Sequence, residues 1–214
     1  MISKRLKSIA GLVTLSDKVI DVGCDHSLLG IYLIKNQIIE SLVASDINQN
    51  ALAAGFKNIK KHKCEDKIDL KLGDGISVID ENINTAIIAG IGINSIVKIL
   101  SHPHIKYLNK LIIQSTGDYF LLRGFICSKG FYISHEAVIY EKGKYYINIV
   151  FQRGKKKYSI KELRFGPILM YANKEYFGYL LKKQEAIIEN IPFYKFSTRS
   201  KLKSERRFLR KLAK

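Results

Sequence analysis

Val19-Ile20-Asp21-Val22-Gly23-Cys24-Asp25-His26-Ser27-Leu28-Leu29 is the stretch on which the fold turns. Its apolar opening reads as a buried strand. Gly23 makes a sharp turn, and Leu28, Leu29, Tyr32 and Leu33 then recur at helical spacing. A strand, a glycine turn and a helix form the first unit of a nucleotide-binding α/β fold. The turn departs from the dinucleotide pattern G-x-G-x-x-G, whose glycines admit a pyrophosphate. Asp25 stands where the second glycine would be, and Asp21 sits at the strand end. Carboxylates there repel a pyrophosphate and suit a ligand with a positive or neutral centre. Taken alone, the stretch equally fits any strand-to-helix turn in which Gly relieves strain and Asp caps the helix.

Working outward, the same unit recurs. Ser3 caps a first helix with Leu6, Ile9 and Val13 on one face. Leu42 to Ser45 is a second strand ending at Asp46, and Asn48 or Asn50 caps a helix to about Lys61. Ile68 to Leu72 is a third strand, ending in Gly73-Asp74-Gly75. Thr85 to Ala89 is a fourth, ending in Gly90-Ile91-Gly92, with a helix from Ile93 to Leu100. Lys110 to Gln114 is a fifth, followed by a helix from Tyr119 to Ser128 capped by Asp118. The rhythm then changes to Phe131–Tyr140, a turn at Glu141-Lys142-Gly143-Lys144, and Tyr145–Gln152, which is a β-hairpin. Five strands alternating with helices predict a parallel sheet, and the hairpin adds an antiparallel last strand. The expected fold class is α/β, Rossmann-like, with a mostly parallel seven-stranded sheet.

Arg153 to Lys157 reads as a linker. Beyond Pro167 the pattern is helical through Met170, Phe177, Leu180, Leu181, Ile187 and Ile188. Pro192 breaks it, and a second helix covers Ser200 to Leu212. The expected domains are 1–157 and a helical, coiled-coil-like hairpin at 158–214. The net charge is +17, and residues 155–214 hold 17 Lys and Arg against 5 acids, so they carry +12 of it. Such an excess points to nucleic acid. No run is long enough to span a membrane, and acids in the tail spoil an amphipathic membrane anchor. Cys24, Cys64 and Cys127 are far apart and show no metal spacing. No disulfide framework and no metal are expected, and a reducing cytoplasm fits best.

In α/β sheets the ligand lies outside the carboxyl ends of the strands. Reading those ends in turn yields Asp21, Asp46, Asp74 and Gly90-Ile91-Gly92. Each has an ordinary reading as a turn residue, but their joint recurrence favours a ligand. S-adenosylmethionine carries a sulfonium and an ammonium and matches the acids. Asp21, Gly23 and Asp25, with His26, meet its methionine end. Asp46, with Ile47 beside it, takes the ribose hydroxyls. Asp74, next to Gly75, faces the adenine amino group. Gly90 and Gly92, with Ala89 and Ile91, let backbone approach the sulfonium and an incoming base.

Ser3-Lys4-Arg5-Leu6, Asp21-Val22-Gly23-Cys24-Asp25-His26, Gly73-Asp74-Gly75 and Ile88-Ala89-Gly90-Ile91-Gly92 together resemble the bacterial tRNA (adenine-22-N1)-methyltransferases, the TrmK family. The resemblance continues through Gln114 and the hairpin to Gly166-Pro167. It implies a Rossmann-like catalytic domain, a C-terminal helical domain, S-adenosylmethionine as cofactor, and methylation of N1 of an adenine in the D-arm region of tRNA. Two departures stand out. The family's Ala-Gly-Met-Gly-Gly reads here Ala89-Gly90-Ile91-Gly92-Ile93, and its Gln-Pro-Asn reads Gln114-Ser115-Thr116.

Adenine N1 has a free lone pair, so no general base is expected. Asp25 and the backbone at Gly90 are the candidates for easing the charge that develops. Lys4, Arg5 and Lys7 at one end, and Lys201 to Lys214 with Arg206 and Arg207 at the other, are expected to meet phosphates. The partner is tRNA and the protein a monomer. The alternatives are a methyltransferase acting on another RNA, or a non-catalytic RNA-binding protein with a relic cofactor fold.

Overall fold

The computed structural model describes residues 2–192 and 195–214, without the side chains of Phe196 and Lys201. The part expected of the Lys201 side chain therefore lies outside the described residues. Two compact units divide the chain, Met1–Lys157 and Tyr158–Lys214.

The first unit is built on seven strands: β1 (Val19–Val22), β2 (Leu42–Asp46), β3 (Ile68–Leu72), β4 (Thr85–Ile91), β5 (Lys110–Ser115), β6 (Phe131–Glu141) and β7 (Lys144–Arg153). Their order is β3-β2-β1-β4-β5-β7-β6. β1 to β5 run parallel, and β7 lies antiparallel between β5 and β6. The expected class is the one found. Strand order reverses between β1 and β4, which opens a crevice at their carboxyl ends. The central strands are apolar runs because both faces are covered. Ile20, Ile87, Ile88, Leu111 and Ile113 are fully buried, as are Phe131 and Phe151.

The helices of this unit are α1 (Lys4–Ala10), α2 (Leu28–Lys35), α3 (Gln49–Lys61), α4 (Ile93–Leu100) and α5 (Tyr119–Ser128). Three of them start where a side chain satisfies orphan backbone donors. Ser3 Oγ accepts from the Leu6 N–H at 3.2 Å. Asn48, rather than Asn50, caps α3 and accepts from the N–H groups of Asn50 and Ala51. Asp118 caps α5 in the same way. α2 departs from this pattern. Its N-cap is Ser27, left-handed at φ 55, with no side-chain cap bond. Asp25 is therefore not a helix cap. α5 is tied to β6 by a buried ion pair, Arg123 to Glu136 at 2.8 Å.

The second unit holds α6 (Ile160–Phe165), a 3-10 turn at Leu169–Tyr171, α7 (Lys174–Asn190) and α8 (Phe196–Leu212). α6 is absent from the sequence reading because six residues give too little periodicity. Its start is nonetheless written as a capping box: Ser159 Oγ accepts from the Glu162 N–H, and Glu162 accepts from the Ser159 N–H. α8 begins four residues ahead of the expected Ser200. α7 and α8 form an antiparallel hairpin. Gln184 Nε2 donates to the Leu202 carbonyl at 3.0 Å, and Arg210 pairs with Glu185 at 2.8 Å. Ile188 and Leu209 are buried there. Among the described residues, no helix is long and apolar enough to cross a membrane.

Candidate active site

The turn after β1 is pinned by backbone. The N–H groups of Gly23 and Cys24 both donate to the Ser45 carbonyl, at 2.8 and 3.1 Å. Gly23, Asp25 and Ser27 are left-handed, at φ 69, 46 and 55. The two non-glycine residues each cost on the order of 1 kcal/mol, strain that persists only where surroundings hold it. Here they do. Gly55 of α3 packs so close that a Cβ there would lie 2.7 Å from Ser27 Oγ. Asn58 Nδ2 donates to the His26 carbonyl at 3.0 Å. Asp46 Oδ2 accepts from the Asp25 N–H at 3.2 Å, and its Oδ1 from the Asn48 N–H at 2.9 Å.

Asp21 is buried beneath this turn, 5% exposed. Burial, reinforced by the Asp46 charge, pushes its carboxyl up to about 7. The Asp25 carboxylate lies open beside His26, 3.7 Å from Nε2. Cys24 also lines the pocket, but burial pushes its thiol up to about 12, so it stays neutral and unreactive.

The turn after β4 closes the other side. Gly90 sits at φ 78, where pairing of β4 with β5 slips between Ala89 and Ile91. Ile91 reaches across: a Cβ on Gly23 would come within 2.9 Å of its Cδ1. The two turns bound a pocket of about 320 Å³ that gathers Asp21, Gly23, Asp25, His26, Ala89, Gly90 and Ile91. Asp46, Ile47, Asp74, Gly75 and Gly92 do not line it. Asp74 is held by Lys98 at 2.5 Å. Gly75 is buried, with its carbonyl accepting from Ser45 Oγ at 3.2 Å and Ile99 packed on it. Gly92 caps α4 at φ −72, and a Cβ there would make only ordinary contact with Thr116. The backbone argument for glycine thus holds at Gly90 and fails at Gly92. A larger hollow, about 820 Å³, borders Asp17, Leu42 and Ile68 at the opposite end of the strands, away from both turns.

Arg5 sits apart from Lys4 and Lys7, with which its place on an outer basic segment is expected. Lys4 and Lys7 are exposed, but Arg5 turns into the pocket. Its Nη1 would lie 3.3 Å from a Cβ on Gly90. That nitrogen donates to Gln114 Oε1 at 2.7 Å, Gln114 Nε2 to Asn148 Oδ1 at 2.5 Å, and Asn148 Nδ2 to Ser8 Oγ at 3.0 Å. The missed signal was helical spacing: Arg5 stands four residues before the buried Ile9, on the inward face of α1.

The tail residues divide as well. Arg206 is half-buried, whereas Arg207 is exposed. Arg207 borders a groove of about 460 Å³ with Lys161, Arg164, Phe165, Phe208 and Lys211.

A sheet of this order, with acids and a bare glycine at its ligand-binding end, defines a Rossmann-like methyltransferase. The methyltransferase-domain family model matches residues 2–149. A Mycoplasma genitalium protein assigned as a tRNA methyltransferase is 35% identical over 75% of this chain and 74% of its own. The tRNA (adenine(22)-N(1))-methyltransferase of Bacillus subtilis is 28% identical over 72% of this chain and 66% of its own. Sp1610 of Streptococcus pneumoniae, a candidate tRNA (m1A22) methyltransferase solved with S-adenosyl-L-methionine, is 27% identical and superposes over all of both chains with a TM-score of 0.90. This chain belongs to the TrmK family of tRNA (adenine-22-N1)-methyltransferases.

The residues present suit S-adenosylmethionine. Asp21 and Asp25 offer acceptors to a cation, and the left-handed Gly23 and Gly90 leave the walls bare of side chains.

Proposed function

We propose that this protein transfers a methyl group from S-adenosylmethionine to N1 of adenine 22 of tRNA. The observation that carries it is the convergence of the Asp21–Asp25 turn and the Ala89–Ile91 turn on one pocket. When bound, the cofactor supplies an electrophilic methyl group on a sulfonium centre. Asp21 and Asp25 hold its cationic end, with the Gly23 backbone and His26 beside the methionine carboxylate. Asp46, flanked by Ile47, accepts the ribose hydroxyls through lone pairs that its two backbone donors leave over. Asp74 and Gly75 lie on the adenine side. Ala89, Gly90, Ile91 and Gly92 border the target base.

No proton has to leave N1, so these residues act by placement. The chain brings N1 in line with the methyl carbon, and Asp25 with the carbonyls of Ala89 and Gly90 stabilises the positive charge the base acquires. Residues 1–157 form the catalytic domain. Residues 158–214 form a basic helical hairpin that meets tRNA through Arg207, with Lys4 and Lys7 as further phosphate contacts. The enzyme works as a monomer in the cytoplasm, where its separated free cysteines stay reduced.

Incubation with cofactor and two tRNAs, one carrying A22 and one with G22, tests this. Nucleoside mass spectrometry should find 1-methyladenosine from the first alone. Methylation of the G22 tRNA, or of another base, overturns the assignment.

A further inference from the structure

The β6–β7 hairpin runs past the ligand-binding end of the sheet. Ile113 of β5 pairs with Ile149 of β7. Continuing that register sets Ser115, the last residue of β5, level with Ile147. Three more residues carry β7 back to Lys144, about 10 Å further at strand spacing. The tip therefore projects beyond the carboxyl ends of the parallel strands, the end at which the pocket opens.

The tip is bound to α1, the helix that sends Arg5 into the pocket. Glu141 Oε1 accepts from the Lys4 N–H at 2.7 Å. Arg5 lies over the Tyr146 ring, 5.6 Å from its centroid. The α1-facing side of the tip carries Glu141, Lys144 and Tyr146, and Lys4, Lys7, Lys142 and Lys144 are exposed around this junction. Tyr140 and Tyr145, cross-strand partners with ring centroids 4.8 Å apart, alternate onto the opposite face of the hairpin. The acid at the tip, Glu141, is engaged by the α1 backbone, and one acid against four lysines leaves the surface net positive.

The turn is built at a cost. Lys142 and Gly143 both have positive φ, 49 and 78, as in a two-residue turn of type I′. Asn or Asp is the relaxed residue at the first of these positions. A lysine there accepts strain and places a cation at the apex.

We propose that this surface, formed by the hairpin tip and the N-terminal helix, grips the tRNA strand that carries the target adenosine. The four lysines take its phosphates. The proposal rests on the tRNA reading above. Charge complementarity and continuity with the pocket through Arg5 favour an RNA strand as the occupant.

The test compares the full-length parent with two variants. Lys142→Asn/Lys144→Gln removes two charges and keeps a favourable turn. Lys60→Gln/Lys61→Gln makes the same charge change at the end of α3, at the opposite edge of the sheet. Binding to unmodified tRNA is measured across a salt series, with S-adenosylmethionine affinity and melting temperature alongside. The hairpin charge variant should bind tRNA about tenfold or more weakly, with a salt slope reduced by about two contacts. The α3 variant should stay within about threefold of the parent, and cofactor affinity should hold throughout. Unchanged tRNA affinity and slope in the hairpin variant, with a parent that binds tRNA, overturn this surface alone. Equal losses in the α3 variant also overturn it, because only overall charge then counts. A parent that fails to bind tRNA overturns both this surface and the functional reading beneath it.

Discussion

Asp21 is a buried carboxyl at the first turn of the sheet. Its pKa of about 7 in the fold lies well above the ~3.9 of an unfolded chain. Between those values the folded protein holds a proton that the unfolded chain has lost. Stability contributed by Asp21 is therefore full below about pH 4, falls as pH rises toward 7, and levels off above it. Each unit of upward shift corresponds to about 1.4 kcal/mol. Asp21→Asn should remove this component, so urea midpoints at pH 5 and pH 8 should lie closer together in the variant than in the parent. Identical pH dependence in the two proteins would falsify a raised Asp21. The ionised form is what a cation pairs with, so cofactor binding near pH 6 should release a proton. Calorimetry in buffers of differing ionisation enthalpy reads that release directly. Asp46 holds the Asp25 N–H, and in the proposed site it also accepts the ribose hydroxyls. Asp46→Ala should weaken S-adenosylmethionine binding by about 1.5–3 kcal/mol, the range for hydrogen bonds to a charged group. Unchanged affinity by calorimetry removes Asp46 from the site.

Among the elements, the α5–β6 junction carries the clearest energetic stake. Arg123 is 1% exposed and Glu136 4%, with both Nε and Nη2 of the arginine 2.8 Å from Oε1. Removing the acid strands a guanidinium in the interior. Glu136→Ala should therefore destabilise the protein by about 3–5 kcal/mol, whereas Arg123→Met with Glu136→Leu should cost much less. The comparison is made by urea denaturation at one pH. A loss below about 1 kcal/mol for Glu136→Ala would mean that water reaches the pair. The same junction carries β6 toward the tip, so the double variant also asks whether the pair sets the hairpin's position. Unchanged tRNA binding in it would confine the pair to stability.

At the scale of the whole molecule, the excess charge has to be assigned to surfaces. Cutting after Pro192 strips α8 from α7 and bares Ile188 along with the face that Gln184 and Glu185 offer to α8. The informative truncation removes Tyr158–Lys214 entire, since Met1–Lys157 has its own core. That fragment should bind S-adenosylmethionine as the full chain does and bind tRNA at least about tenfold more weakly. Arg207→Glu in the full chain should lower the salt slope by about one contact. Arg206→Glu should act mainly on melting temperature, because that side chain is half-buried. Fragment and full chain with equal tRNA affinity would leave the second unit no part in docking.

Local rules explain most of what was legible in the sequence. Strand–turn–helix units, the caps at Ser3 and Asp118 and the hairpin turn are all set within a few residues, so they can be read along the chain. The acids and glycines at strand ends were legible for the same reason, because topology sends successive strand ends to one edge. α6 escaped because its periodic signal is short, although its capping box was written plainly. What tertiary structure alone decided is which neighbours those residues acquire. Asp74 gains Lys98, Gly75 gains Ile99, and Arg5 crosses 109 positions in the chain to meet Gln114. The union of hairpin tip and α1 is likewise a contact between residues 137 positions apart, Lys4 and Glu141. Sequence spacing carries helix and strand faces, since those repeat every few residues. It does not carry a long-range pairing, which exists only once the sheet has brought its ends together.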